Sequence, residues 1–247
     1  MIMNFMKMLI PILPLLLLLG CSNPAKDLPA AAVDPASNST AGAAAQPEPE
    51  GSYYVFGPTN AAIAFVGSKV TRSHNGGFRN LTGEFKVVNG RLANTGNKVV
   101  VDVTSLFADD ARLTGHLKTP DFLAVAQFPT ATFVSTTVDQ KATNATVTGD
   151  LTLHGVTKAI SFPANIQVSE AGVHVTANFV LNRYDFEIKY PGMANDLIRK
   201  EVVLKLNVKA VPGRASFEAI EKVAQAAAAA TPPMGRPPGG PRAGIQP

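Results

Sequence analysis

With 247 residues, 46% hydrophobic content and a formal net charge of +4, the chain has enough apolar residues to bury a core and too many to be disordered. Thirteen Phe, four Tyr and no Trp make that core one of Phe, Val, Leu and Ile. Residues 51–212 carry 16 Lys and Arg against 12 Asp and Glu, but as scattered single residues with no basic run and no interleaved aromatic platform, so no nucleic-acid partner is expected.

Lys7 is followed by an apolar run from Met8 to Leu19, too short to cross a hydrocarbon core as a helix and of the length of a signal-peptide core. The run ends Leu18-Leu19-Gly20-Cys21, which resembles the lipobox of bacterial lipoproteins, where cleavage precedes a cysteine that becomes acylated. Cys21 is the only cysteine, so an intrachain disulfide is ruled out, and acylation accounts for a lone cysteine in an exported chain better than a free thiol does. The resemblance implies a signal peptide over 1–20, lipidation at Cys21 and a periplasmic protein held at the membrane. Ser22 stands where an acidic residue would mark inner-membrane retention in some bacteria, which points to the inner leaflet of the outer membrane. Residues 21–51 are rich in Ala, Pro, Ser and Asn and lack apolar periodicity; they read as a flexible tether.

The folded part is expected over 52–212. Tyr53–Phe56 is a short strand candidate, and Ala61, Ile63 and Phe65 alternate in the next. Ser73–Phe78 reads as a turn by composition. Phe78–Val88 reads as a strand in which Gly83 marks a bulge or a close backbone approach. Asn89-Gly90 is the strongest hairpin dipeptide, and Lys98–Thr104 makes a further strand. Between Ser105 and Gln127 the apolar spacing becomes helical, with Pro120 at a first helical position and Asp121 in the first turn, so two short helices are expected. Strands then follow over 130–138, 144–153, 157–168, 172–182 and 202–210. In the last of these Val202, Leu204, Leu206 and Val208 alternate with wet positions. Within 149–162, Leu151, Leu153, Ile160 and Phe162 alternate about a tight turn at His154-Gly155. Residues 183–200 read as an irregular rim. The stretch 213–247 reads as a short Ala-rich helix followed by Pro/Gly coil. At least eight strands with short turns imply an all-β antiparallel barrel or sandwich, and a barrel removes exposed edges.

Five segments, Ser73–Phe78, His116–Phe122, Phe128–Phe133, Gly149–Lys158 and Asn182–Phe186, resemble in order and spacing the YceI-like family of bacterial periplasmic proteins, over roughly residues 52–211. The resemblance implies a lipocalin-like antiparallel β-barrel of about eight strands with one or two short helices, whose apolar lumen holds a polyisoprenoid or an isoprenoid-tailed quinone. It implies no catalysis and no cofactor beyond such a bound lipid. The family's second Phe of the helical motif and the acidic residue after it are Leu123 and Ala124 here. Side chains expected to meet the ligand are Phe65, Phe85, Phe122, Phe133, Leu151, Leu153, Ile160, Phe162, Phe179 and Leu204. Periodicity alone leaves open whether the barrel is hollow or filled by its own side chains.

Arg183, near a strand end, suits either a fixed charge for a pyrophosphate or quinone head group or an ion pair with Asp121, Asp185 or Asp150. His154 suits either a hydrogen bond to a ligand head or a brace on the segment containing Asp121, and the brace is favoured. The four histidines, His74, His116, His154 and His174, match no metal-ligand spacing, so no metal is expected. A Ser/His/Asp set can be drawn from Ser105, His116 or His154 and Asp121, but no Gly-x-Ser-x-Gly elbow accompanies it. The main expectation is a lipid-anchored, non-catalytic carrier of an isoprenoid lipid. The alternatives are a structural barrel with a filled core and an enzyme of envelope lipid metabolism.

Overall fold

The structure, a computed structural model, describes residues 23–35, 50–218, 221, 222, 225 and 226. The expected signal peptide, Cys21 and the Pro/Gly tail lie outside the described residues. The strands are β1 (Ala32–Pro35), β2 (Ser52–Phe56), β3 (Ala61–Lys69), β4 (Ser73–Phe78), β5 (Leu81–Val88), β6 (Arg91–Leu92), β7 (Lys98–Asp102) and β8 (Leu106–Ala108). After the helix α1 (Ala111–Leu117) come β9 (Thr130–Lys141), β10 (Asn144–Leu153), β11 (Val156–Ser169), β12 (Gly172–Asn182), β13 (Gly192–Met193) and β14 (Asp196–Pro212).

These form the expected closed antiparallel barrel of eight wall strands. β2 with β3, β4 with β5 and β7 with β8 are each one wall strand kinked near its middle, since β2 pairs β5 while β3 pairs β4, and β5 pairs β7 while β4 pairs β8. The ring runs on through β9, β10, β11 and β12 to β14, and β14 closes it against β3 with one stretch and β2 with another. Asn89 (φ 50°) and Gly90 (φ 73°) make the expected hairpin turn, as do His154 (φ 52°) and Gly155 (φ 75°), two residues with positive φ being what a two-residue hairpin needs.

Three expectations are corrected. Ser73–Phe78 is strand β4 and not a turn. Its glycines serve close packing: a Cβ on Gly76 would collide with the Phe65 ring and the Phe107 carbonyl, so the composition marks a tight approach inside a sheet. Of the two short helices expected over 105–127, one forms. Asp110 caps α1 by accepting the Leu113 N–H at 2.9 Å, but residues 119–128 fold as linked turns. Phe122 and Ala124 both donate to the Thr119 carbonyl, and the left-handed φ of 43° at Ala124 stops any helix there.

The third correction concerns the tether. Residues 23–35 lie on the barrel. β11 pairs β12 only from Asn165 to Ser169; Pro163, which has no N–H to give a ladder, sits just before the strands part. β1 fills the opening. Ala32 to Pro35 pair with Ser161 to Lys158 on one side, and on the other the Ala31 N–H donates to Val180 O at 2.8 Å while the Val180 N–H donates to Pro29 O at 2.9 Å. Ala31 and Val33 turn inward onto the core, and Ala25 and Leu28 pack on the outer wall at Val66, Val180 and Val203. The segment is too polar to show apolar periodicity, and its order comes from backbone groups that the parted strands would otherwise leave unpaired.

After β14 the chain stays against the barrel, with the Ala215 N–H donating to Glu84 at 3.1 Å and Arg214 lying 3.6 Å over the Tyr53 ring. The expected C-terminal helix begins with a Glu221-to-Phe217 hydrogen bond of 3.0 Å.

If residues 29–33 complete the wall, the amides of Ala31 and Val180 exchange with solvent orders of magnitude more slowly than an unstructured chain. Hydrogen exchange followed by mass spectrometry reads this; random-coil exchange at Ala31 would restore the tether.

Candidate ligand-binding cavity

The barrel interior divides into two halves. The end bounded by β2, β5 and β6 is filled: Tyr54, Phe56, Phe85, Val147, Ile166, Val173 and Val208 are all buried, with the Phe56 and Phe85 rings 4.7 Å apart. The other half, toward β3, β4, α1 and the start of β14, holds a cavity of about 540 Å³, within the usual size of a small-molecule site. Phe65, Phe133, Leu151, Leu153, Leu204 and Leu206 are only half-buried although they point inside the wall; the surface they expose is the cavity's. An open groove of about 570 Å³ on the outer faces of β9 to β12 is lined largely by polar side chains such as Asp139, Asn144, Asn165 and Asn178. It lacks the apolar enclosure of the internal chamber.

Aromatic side chains floor the chamber on the filled side and cover part of it on the α1 side. On the filled side Phe162 stacks on Phe179 with ring centroids 4.3 Å apart, and Phe133 meets Phe162 at 5.7 Å. On the α1 side His116, Phe122 and Tyr190 form a three-ring cluster with centroids 5.0 to 5.2 Å apart. Asp121 fixes the imidazole of His116, Oδ2 to Nε2 2.8 Å, so the helix and the turns after it form one lid. The open end carries the polar members of the lining, among them Lys69, His74, Asp196 and Arg199.

The structure brings together Phe65, Phe122, Phe133, Leu151, Leu153, Ile160, Phe162, Phe179, Arg183 and Leu204, all of which line the chamber. Phe85 is the correction. It faces inward as its alternation requires, but at the filled height, where it packs on Phe56. Alternation tells the face of a strand and not the depth along the barrel. Ile63 and Leu206 also line the chamber and share the strand parity of Phe65 and Leu204; Val99 and Val101 line it from β7, a strand from which no residue had been singled out. Tyr190, Met193 and Ile198 come from the irregular rim, where no periodicity marks them.

Arg183 is 5% exposed and its partners are backbone carbonyls, not a carboxylate. Its guanidinium donates to Arg199 O (3.1 Å), Ile188 O (2.5 Å), Tyr190 O (2.7 Å) and Ile198 O (3.2 Å), and lies 4.8 Å over the Tyr184 ring. Burial lowers its pKa from the usual value. It thus pins the 3-10 turn Arg183–Phe186, the linker at Ile188 and Tyr190 and the start of β14 into one rim, in place of the ion pair with Asp121, Asp185 or Asp150. His154 is a brace, but its partner differs from the expected one: Nδ1 lies 3.1 Å from the Phe186 carbonyl, and the ring meets Phe128 edge-on at 4.8 Å.

The remaining candidates have structural partners. His74 Nδ1 lies 2.8 Å from Asp109 Oδ1, while the Asn75 N–H and this imidazole together lower the Asp109 pKa. His174 bonds Asn207 at 3.1 Å. Ser105 Oγ donates to Asp102 O at 2.6 Å and accepts the Arg79 and Asn80 N–H groups, and no histidine is among these partners. Among the described residues no three His, Cys, Asp or Glu side chains gather where they could hold a metal ion.

An eight-stranded antiparallel barrel with an apolar chamber open at one end belongs to the class of barrels able to hold a ligand. The model of the YceI-like domain matches residues 54–210, and the chain belongs to that family. A UPF0312 protein of Pseudomonas putida is 34% identical over 155 residues, covering 56% of this chain and 78% of its own; one from Pseudomonas savastanoi is 33% identical over 172 residues, covering 64% and 82%. Two solved structures share the fold, both at TM-score 0.55. BcnA of Burkholderia cenocepacia is 20% identical and matches 61% of this chain and 96% of its own. A polyisoprenoid binding domain from Saccharophagus degradans, implicated in plant cell wall breakdown, is 17% identical and matches 66% and 100%.

Replacing Arg183 by Lys leaves three donors on a point charge where a planar fork serves four carbonyls. The Arg183→Lys variant loses at least about 2 kcal/mol of stability through the carbonyls left unpaired. Urea unfolding measures this, and an unchanged midpoint would return Arg183 to the role of a ligand-facing charge.

Proposed function

We propose that the chain is a non-catalytic carrier that holds a polyisoprenoid, or an isoprenoid-quinone-like molecule, in the chamber of its barrel. The observation that carries the reading is the internal cavity of about 540 Å³ walled mainly by Phe, Leu, Ile and Val side chains, with Lys69, His74, Asp196 and Arg199 at its open end. Such a surface gains from burying a chain, about 0.8 kcal/mol per methylene, and offers that chain's polar head a place at Lys69, His74 and Arg199. The shared fold of the Saccharophagus polyisoprenoid binding domain supports the same class of ligand. The chamber favours this reading over a structural barrel with a filled core, since side chains pack only part of the interior. The structural partners of Ser105, His154 and Asp121 weigh against a hydrolase.

In this reading the carrier works in the periplasm. The segment ending at Cys21 exports it and the acylated cysteine holds it at the membrane, in the inner leaflet of the outer membrane. β1 and the turn before it keep the barrel close to that anchor.

Purified from cells and extracted with organic solvent, the protein releases an isoprenoid-type lipid detectable by mass spectrometry. The Leu151→Trp variant, which puts an indole into the chamber, releases at least tenfold less while its unfolding midpoint stays near the parent's. No lipid from either protein would contradict the reading.

A further inference from the structure

We infer that the rim of the chamber is a bilayer-docking surface, formed by the β3–β4 and β13–β14 tips and presented to a membrane of anionic lipids. Exposed large apolar side chains are few among the described residues, and three of them stand together here: Val70 at 53%, Met193 at 70% and Leu197 at 51% exposure. Met193 also lines the mouth of the chamber. Apolar groups gathered at the opening of an apolar cavity are badly placed for water and well placed for an interface that supplies apolar molecules.

The two tips are one rigid unit. The Val70 N–H donates to Leu197 O at 3.2 Å, Lys69 is ion-paired to Asp196, and the Thr71 hydroxyl donates to the same carboxylate at 3.0 Å. Behind them Arg183 ties the Ile198 and Arg199 carbonyls to the rim. The knob therefore keeps its shape without a partner, and docking it costs little ordering entropy.

Charge selects the partner. Residues 69–72 and 192–200 carry Lys69, Arg72, Arg199 and Lys200 against the single carboxylate of Asp196, with Glu201 following on the wall. Apolar tips flanked by cations match the boundary between acyl chains and anionic headgroups. Ala25 and Leu28 pack on the cluster of Val66, Val180 and Val203, so the N-terminal segment lies against β3 and β14, the two wall strands whose ends carry the knob.

The chain has no tryptophan, so one introduced indole is a unique probe. In the full chain, Met193→Trp places it at the knob and Val211→Trp at the other end of β14, where Val211 is 46% exposed. Each variant is mixed with vesicles of brominated phosphatidylethanolamine and phosphatidylglycerol. An acyl anchor brings both to the surface equally, so the difference between them reads orientation. The surface predicts that Met193→Trp emission shifts to the blue and loses more than half its intensity to bromine, that Val211→Trp does neither, and that adding Leu197→Glu restores the Met193→Trp signal. Equal quenching at both positions, or none at Met193→Trp, overturns it. The readout needs no bound ligand, so quenching at the knob in a protein that yields no extractable lipid would refute the carrier and leave the docking surface standing.

Discussion

The guanidinium of Arg183 is the contact on which the open half of the barrel depends. A cavity rim is the least supported part of a barrel, because its residues pack on one side only. In this chain the rim is made of a 3-10 turn, a linker, a two-residue strand and the bulged start of β14, with few ladder hydrogen bonds of their own. One planar fork, reaching out from the 3-10 turn, replaces those ladders by binding four carbonyls at once, Ile188 and Tyr190 in the linker after the turn and Ile198 and Arg199 at the start of β14. Desolvating the cation is costly, and the charge-assisted bonds to carbonyls offset it. His154, on the facing hairpin, holds the same 3-10 turn through the Phe186 carbonyl. With its rim fixed from two sides, the chamber keeps its shape without side chains filling it.

The second constraint is closure. Eight strands leave an interior just wide enough to be filled or to hold one slender molecule, and this barrel does both at different heights. Phe56, Phe85 and Ile166 pack one half and supply the stability of a folded core, while the other half is lined by side chains that leave room. The wall itself is one strand short where β11 and β12 part, and β1 completes it. The same segment that fills the wall also fixes where the N-terminal end of the chain leaves it.

Much of this was legible in the sequence, and the reasons differ by element. Period-two alternation over 130–138, 144–153, 157–168 and 172–182 marked the wall, and Asn89-Gly90 and His154-Gly155 marked two of its turns, because both signals are local. The chamber residues Leu151, Leu153, Ile160, Phe162 and Leu204 followed from the same alternation. Phe85 did not fit, since periodicity is blind to height along the barrel. Ser73–Phe78 misled because glycine marks close approach of neighbouring strands as readily as a turn, and which it is depends on Phe65 and Phe107 from elsewhere in the chain. β1 was missed because backbone pairing across a gap leaves almost no trace in side-chain composition. The partners of Arg183 were out of reach for a related reason: carbonyl acceptors exist at every residue, and only the folded rim selects four of them.

In the proposed carrier the open half of the barrel takes up an apolar chain by burying it. The direct measurement is a titration of lipid-depleted protein with straight-chain alcohols of increasing length. Affinity is expected to rise about fourfold per added methylene, the equivalent of about 0.8 kcal/mol, until the chamber is full, and then to level off. Affinity independent of chain length, or no binding at any length, would contradict it.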